Sequence, residues 1–292
     1  MPLRMSKPSG YKPKNYSWSQ AKKYLNCGMQ YQYSKVFGLP EKAGVGLLMG
    51  IASDEIVMGE TGFFADLIGG APKSSSEYEA DFSVFVQNTK DRHCKDWSDE
   101  EEYTFEKDYE RVRPLIAKYC DPDCETHRHL KPLKVQVKYN FNLHGLNAPI
   151  IGYSDLIAVD KGTHQRVVVD LKCVKTKPWQ SAAYRLQTSL YALAEQQDHD
   201  LEYLPKVEIH SLVKTKKPAI DALSLQIETS DITTVYQMLL NLQFGIESNY
   251  FPLNRLSNLC SMKYCSFYEK CFNEHDRKIE TLKDLYAKEK EG

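Results

Sequence analysis

The sequence predicts an α/β fold: a mixed central sheet flanked by helices, with a helical part before it and a cysteine-stapled segment after it. Three observations predict this. Runs of alternating β-branched and aromatic residues fall between 133 and 228, interrupted once by an amphipathic helical stretch. Helical spacing dominates before residue 120. Cys260, Cys265 and Cys271 crowd into the end of the chain.

Residues 17–37 read as a helix, with Ser17 or Ser19 as cap and Ala21, Tyr24 and Leu25 at helical spacing; Gly38, Leu39 and Pro40 end it. A second helix runs from about 45 to 59. The stretch 69–96 mixes Gly, Pro and Ser with short apolar pieces, and no element is assigned to it. Ser98-Asp-Glu-Glu101 is a capping box opening a helix to about 119. Strands follow at 133–143, 149–159 and 166–173, the last two joined by a short turn around Lys161-Gly162. An amphipathic helix over 180–196 carries Leu186, Leu190 and Leu193 on the stripe expected to pack on the sheet. Strands near 206–213 and 222–228 and a helix near 230–247 complete the order, and the charged tail from Arg277 reads as a surface helix. The division expected is 1–130 helical, 131–250 core, and 251–292 cysteine-rich segment with tail.

Composition limits the function classes. The 292 residues are 42% hydrophobic and 26% charged, which is ordinary for a globular protein. With 38 basic and 39 acidic side chains the net charge is −1, so no global field draws the chain to nucleic acid, and any phosphate-binding surface must be local. No apolar run approaches a membrane span. The basic, Pro-containing start MPLRMSKPSGYKPK is not followed by an apolar signal region, so a cytoplasmic location is expected. In that setting the eight cysteines suggest metal binding rather than a disulfide framework. Cys120 and Cys124, with His127, His129, Cys94 and His93 nearby, could form a second metal site, but packing residues are the preferred reading; Cys173 reads as a small core residue.

The chemistry-bearing residues lie in the second and third strands. Gly152-x-x-Asp155 stands in one and Asp170-Leu-Lys172 in the next. Residues two apart in a strand share a face, so Asp170 and Lys172 project together while Leu171 points away. A hairpin turning through 161–164 sets Asp160 opposite Gln165 and Asp155 opposite Asp170; a one-residue slip would break this grouping. Paired carboxylates hold Mg²⁺ or Mn²⁺, which phosphodiester hydrolysis uses to polarise the phosphoryl group and acidify water. A nearby lysine orients that water and offsets transition-state charge. The plain alternative is two solvated strand-end acids, disfavoured in β-branched strands that make no use of them.

Gln187 and Tyr191 lie four apart on the following helix, with Tyr184 before them; by itself this could be the polar edge of an ordinary helix. If the strands ending near Lys172 and Val213 are parallel, Lys175 and Lys177 emerge at the same sheet end as Lys214, Lys216 and Lys217. DNA phosphates would be expected there, with Trp179 and Tyr184 available for base stacking.

Gly152-x-x-Asp155, Asp170-Leu-Lys172 and Gln187-x-x-x-Tyr191, in this order, resemble the RecB-type branch of the PD-(D/E)XK nucleases, which includes CRISPR-adaptation and phage recombination exonucleases. Tyr16-Ser-Trp-Ser with Cys27-Gly-Met-Gln-Tyr31 resembles the N-terminal helix signature of that branch, and Cys260, Cys265 and Cys271 its C-terminal cysteine cluster. The resemblance implies a restriction-endonuclease-like sheet and a DNA exonuclease acting on single-stranded ends in recombination, repair or phage replication. It implies Asp155, Asp170 and the Leu171 backbone carbonyl as metal ligands, Lys172 as the residue serving the nucleophilic water, and Gln187 and Tyr191 as substrate contacts. Recombination or replication proteins and a homo-oligomer are the further partners considered. Two departures stand out. Gly50-Ile-Ala-Ser-Asp54 has aspartate where the family usually has a metal-binding histidine, with Glu55 as the alternative ligand; and the cysteines are spaced C-x4-C-x5-C rather than C-x2-C-x5-C. Cys27, Cys260, Cys265 and Cys271 are expected to supply the four thiolates of a [4Fe–4S] cluster, and a structural Zn²⁺ would accept the same ligands. A degenerate nuclease fold that only binds DNA, or a metal-stapled structural subunit, is the competing class.

Overall fold

The computed structural model describes residues 11–42, 44–93, 97–177 and 182–276. The chain divides into two compact units. One comprises Ala43–His144 and Ala148–Gln237; the other comprises Met1–Lys42, Gly145–Asn147 and Met238–Gly292.

The larger unit is built on a five-stranded sheet in chain order: β1 (Leu130–Phe141), β2 (Ile150–Asp160), β3 (Arg166–Val174), β4 (Lys206–Val213) and β5 (Ala219–Leu225). β1, β2 and β3 pair antiparallel, β3 and β4 are parallel, and β5 returns antiparallel. The sheet is therefore mixed and helix-flanked, as expected. The parallel step is the one that needs a helical crossover, and α7 (Ala182–Asp198) supplies it. The tight β2–β3 turn is fixed by Asp160, whose Oδ1 accepts the N–H groups of Gly162 and Thr163. Its register sets Leu156 opposite Val169 and Val159 opposite Arg166, the alignment that the hairpin argument requires.

Val167, Val169 and Leu171 of β3 meet Leu156 and Ala158 of β2 in a core closed by helices. These are α3 (Val45–Met58), α4 (Phe63–Gly69), α5 (Ser75–His93) and α6 (Asp99–Tyr119). The capping box opening α6 is formed as read, with Ser98 and Glu101 bonding reciprocally. The unassigned stretch 69–96 proves largely helical. Its buried seam is Tyr78, Phe82 and Val86, an i, i+4, i+8 stripe masked by polar neighbours. The leucine stripe of α7 needs correction. Leu190 is buried, but Leu186 and Leu193 are only half-buried, and Thr188, Ser189, Ala192 and Glu195 join the buried face.

In the other unit the single helix expected over 17–37 is broken. α1 (Trp18–Asn26) ends at Cys27, whose backbone is extended, and α2 (Gly28–Tyr31) restarts at once and runs into a π-turn at Gln32–Val36. Gly28 sits so tightly against Pro252 that an added Cβ would lie 2.5 Å from its Cδ. α8 (Thr229–Glu247) begins in the larger unit and ends in this one, and α9 (Tyr268–Asp276) forms within the cysteine-rich segment. No helix among the described residues is long and apolar enough to cross a membrane. Trp179, Cys94 and the tail from Arg277 lie outside the described residues.

Candidate active site

Where β2 and β3 separate, side chains take over from the ladder. The described pairs stop at Leu156–Val169. One step further, Asp155 Oδ2 accepts the Leu171 N–H at 2.6 Å, so a carboxylate fills a place that a backbone carbonyl would otherwise occupy. Asp170 is 1% exposed, and its Oδ2 lies 2.5 Å from Lys172 Nζ. Both project from one face of β3, while Leu171 enters the core on the other. Gln187 donates to Asp170 Oδ1 at 3.4 Å and to the Tyr191 hydroxyl at 3.1 Å. Tyr191 stacks on Tyr139 with a 6.2 Å ring separation. It also covers Gly152 so closely that an added Cβ would lie 2.7 Å from its Cε1. The Gly-x-x-Asp and Gln-x-x-x-Tyr motifs are thus two sides of one contact.

Asp54 comes from α3. Gln136 Nε2 donates to its Oδ2 at 3.0 Å, and its Oδ1 is buried without a hydrogen-bond partner. Glu55, the alternative ligand, is exposed. The carboxylates act on one another electrically. Burial raises Asp155 well above the ordinary carboxylate range, and Asp170 and Asp54 raise it further against the opposing pull of Lys172. Burial also raises Asp54, opposed by the Gln136 hydrogen bond and Lys172. For Lys172, burial alone would lower the pKa, but Asp170 and Asp155 hold it above its ordinary value. Tyr191 is pushed up to about 12 by burial and then by Asp170. Three acids and one ammonium therefore share a small, poorly hydrated space.

Sequence reasoning missed Gln136. Continuing the β1–β2 register, in which Val135 faces Leu156 and Val137 faces Ser154, sets it opposite Asp155. Its φ is 48°, a left-handed conformation that non-glycine residues rarely adopt. A glutamine between two valines in an alternating strand gives no sign of this.

The predicted lysines separate into two kinds. β3 and β4 are parallel through Val174–Val213, so both clusters leave the sheet at the same end, as expected. Lys216 and Lys217 are exposed, and Lys177 pairs with Asp221 at 2.9 Å. Lys175 is exposed and 4.0 Å from Asp108. Lys214 must be corrected. It is 2% exposed and lies 3.1 Å from the equally buried Asp108 of α6, so its charge is spent inside the fold rather than offered to phosphates. Tyr184 is half-buried. Cys120 and Cys124 are buried, and the His127 ring packs on Phe63, Phe64 and Tyr119. Cys173 is half-buried and packs against the core.

In the smaller unit, Cys27, Cys260, Cys265 and Cys271 line one cavity of about 30 Å³. Burial raises Cys265 and Cys271, the latter to about 11, and the neighbouring thiols add to both shifts. Among the described residues no group of three or more His, Cys, Asp or Glu side chains is gathered into a closed ligand set. At the carboxylate site the reason is visible: each acid is turned toward a different protein donor, Gln136, the Leu171 N–H, or Lys172.

A mixed sheet bearing an Asp-x-Lys strand beside a second aspartate, crossed by a helix that touches both, defines a nuclease core. The family model of the PD-(D/E)XK nuclease superfamily matches residues 15–272, and the chain belongs to that superfamily. A crystal structure of a candidate exonuclease from Eubacterium rectale shares the fold, with a TM-score of 0.53 at 14% identity over 85% of this chain and 87% of that one. A second crystal structure, of SSO0001, aligns over 85% of this chain and 92% of that one at 13% identity, with a TM-score of only 0.32. No curated protein matches the chain.

Proposed function

We propose that this nuclease is a divalent-metal-dependent exonuclease that degrades single-stranded DNA from its ends, in recombination, repair or phage replication. The observation that carries the catalytic part is that Asp170 pairs with Lys172 while Asp155 and Asp54 lie within electrostatic reach of both. Asp54 Oδ1 is a buried acceptor with no partner, and Asp54 and Asp155, both raised by burial and by the neighbouring Asp170 charge, form with Asp170 a donor set suited to a hard cation. These residues fit Mg²⁺ or Mn²⁺, with the Leu171 carbonyl as a further oxygen. When bound, such an ion polarises the phosphoryl oxygen and lowers the pKa of water.

The chain's own residues do the rest. Lys172, kept protonated by Asp170, orients the attacking water and offsets charge that builds on the phosphoryl oxygens. The water oxygen forms the new bond to phosphorus as it gives up a proton to solvent, the bond to the leaving sugar oxygen breaks, and that oxygen takes up a proton from solvent. Gln187, which donates to Asp170 and to the Tyr191 hydroxyl, stands with Tyr191 beside the acids and contacts the substrate. Lys175, Lys177, Lys216 and Lys217 supply local positive charge beyond the strand ends. Recombination or replication proteins, or a second copy of the chain, are the partners this reading allows.

End-labelled linear single-stranded DNA should be degraded in Mg²⁺ or Mn²⁺ while a circular strand of the same sequence persists. Cutting of the circle would replace exonuclease by endonuclease action. DNA binding with no metal-dependent cleavage would favour a degenerate binding module, a reading whose support is aspartate in place of the usual histidine at Asp54.

The four cysteines are proposed to ligate a [4Fe–4S] cluster, since the thiols share one cavity and that cluster takes four thiolates. Anaerobically purified protein should be brown and contain iron, and Cys265→Ser should lose both. Zinc without iron would select the structural Zn²⁺ alternative.

A further inference from the structure

At the Asp160 end of β2, beyond the mid-strand Asp155, the larger unit carries a surface groove of about 580 Å³ that the proposed chemistry does not use. Leu67 and Ile68 of α4 form one wall and Leu133 another. Leu133 is the extra residue of a bulge in β1, because Pro132 pairs with Ala158 and Lys134 with the adjacent Ile157. Arg128, Lys131 and Lys161 line the groove, all exposed, and no carboxylate lines it. Among the described residues, neither Arg128 nor Lys131 has an ion-pair partner. Lys161 Nζ donates to the Arg128 carbonyl at 2.6 Å, which ties the β2–β3 turn to the segment before β1. The nearest acid on the turn, Asp160, is occupied with the N–H groups of Gly162 and Thr163. In a chain of net charge −1, three cations line this groove and no carboxylate does, with the exposed Asp121 and Asp123 flanking its Pro122.

We infer that this groove is a second contact for the DNA backbone, separate from the cleavage site, with apolar walls for sugars and bases. The inference rests on the nuclease reading above. A polyanion is favoured as occupant because charge complementarity is spread over three cations rather than focused on one. The five residue steps from Asp155 to Asp160 span about 17 Å. A single strand can extend well beyond the duplex rise of roughly 3.4 Å per nucleotide, so only the very shortest oligomers fail to touch both places. Those oligomers therefore engage the cleavage site alone.

The test compares the full chain with Arg128→Ala/Lys131→Ala, which removes two exposed side chains without altering the turn. With a labelled oligothymidylate of about twenty nucleotides in EDTA, the variant's binding should depend less steeply on salt. Two lost phosphate contacts correspond to a slope change of about 1.4 to 1.8, so the wild-type advantage should shrink roughly tenfold between 50 and 200 mM salt. Cleavage of a dinucleotide should be unchanged. Equal affinity and slope on the long oligomer, with both proteins melting at the same temperature, would overturn the inference. So would polyglutamate that binds the wild type but not the variant while DNA binding stays equal, since that marks a site for an acidic protein segment. If the wild type cleaves nothing yet the salt slopes differ, the nuclease reading fails and the groove stands.

Discussion

Asp155→Asn is expected to lower metal-dependent DNA cleavage on the order of a thousandfold or more, and at neutral pH to make the chelated protein more stable than the wild type. The first effect follows from removing one oxyanion from a site whose proposed chemistry depends on holding a cation against the scissile phosphate. The Asn oxygen still accepts the Leu171 N–H that Asp155 Oδ2 now accepts, so the strand separation should survive. The second effect follows from linkage. Burial, Asp170 and Asp54 raise Asp155 in the folded chain above its unfolded value. Between those two values the folded state binds more protons than the unfolded state, and wild-type stability falls as pH rises through the window. Asparagine carries no such dependence. The stability difference should be absent below the ordinary aspartate range, open as pH rises, and persist at pH 7. Urea denaturation in EDTA at pH 3 and pH 7 measures it, alongside cleavage of linear single-stranded DNA. Full activity in the variant would remove Asp155 from the chemistry. A variant less stable than the wild type at pH 7 would mean that its hydrogen bond outweighs its repulsion.

This opposition between stability and chemistry bears on what a sequence can disclose. Asp155, Asp170 and Lys172 were legible because acids and a lysine in valine-rich strands break the local preference, and the period of two fixes which of them share a face. The hairpin register was legible because the turn around Lys161-Gly162 counts outward to Asp155 and Asp170 without a bulge. Asp54 entered through its resemblance to a helix motif and is singled out from Glu55 by exposure. Lys214 misled for a physical reason. Its neighbours Lys216 and Lys217 are solvated, and only Asp108, 106 positions earlier, turns it inward. A lysine's burial is decided by the partner that neutralises it, and periodicity in its own strand says nothing about that partner. The face of α7 misled in the opposite sense: the leucines drew attention, while Thr188, Ser189, Ala192 and Ala194 make up much of the buried face.

Gln136 is the part of the site that local sequence could not reveal, and it yields the second large effect. Gln136→Gly is expected to weaken Mn²⁺ binding and metal-dependent cleavage roughly 10- to 100-fold, the range seen when a hydrogen-bond partner of a metal ligand is removed. The same change should not weaken the fold through the backbone. The left-handed conformation at φ 48° costs a non-glycine residue about 1 kcal/mol or more, and glycine adopts it freely. The donor to Asp54 Oδ2 disappears while the backbone relaxes. Function and stability then move in opposite directions, which a merely structural glutamine does not predict. Mn²⁺ titration by electron paramagnetic resonance reads the first quantity and thermal melting in EDTA the second. Gln136→Asn tests reach: it keeps the amide and tolerates the left-handed region, but its side chain is one methylene shorter. If Asp54 is held through that amide, Asn should lie between Gln and Gly in Mn²⁺ affinity. If Gln136→Gly binds Mn²⁺ as the wild type does, the strained backbone opposite Asp155 serves the sheet alone.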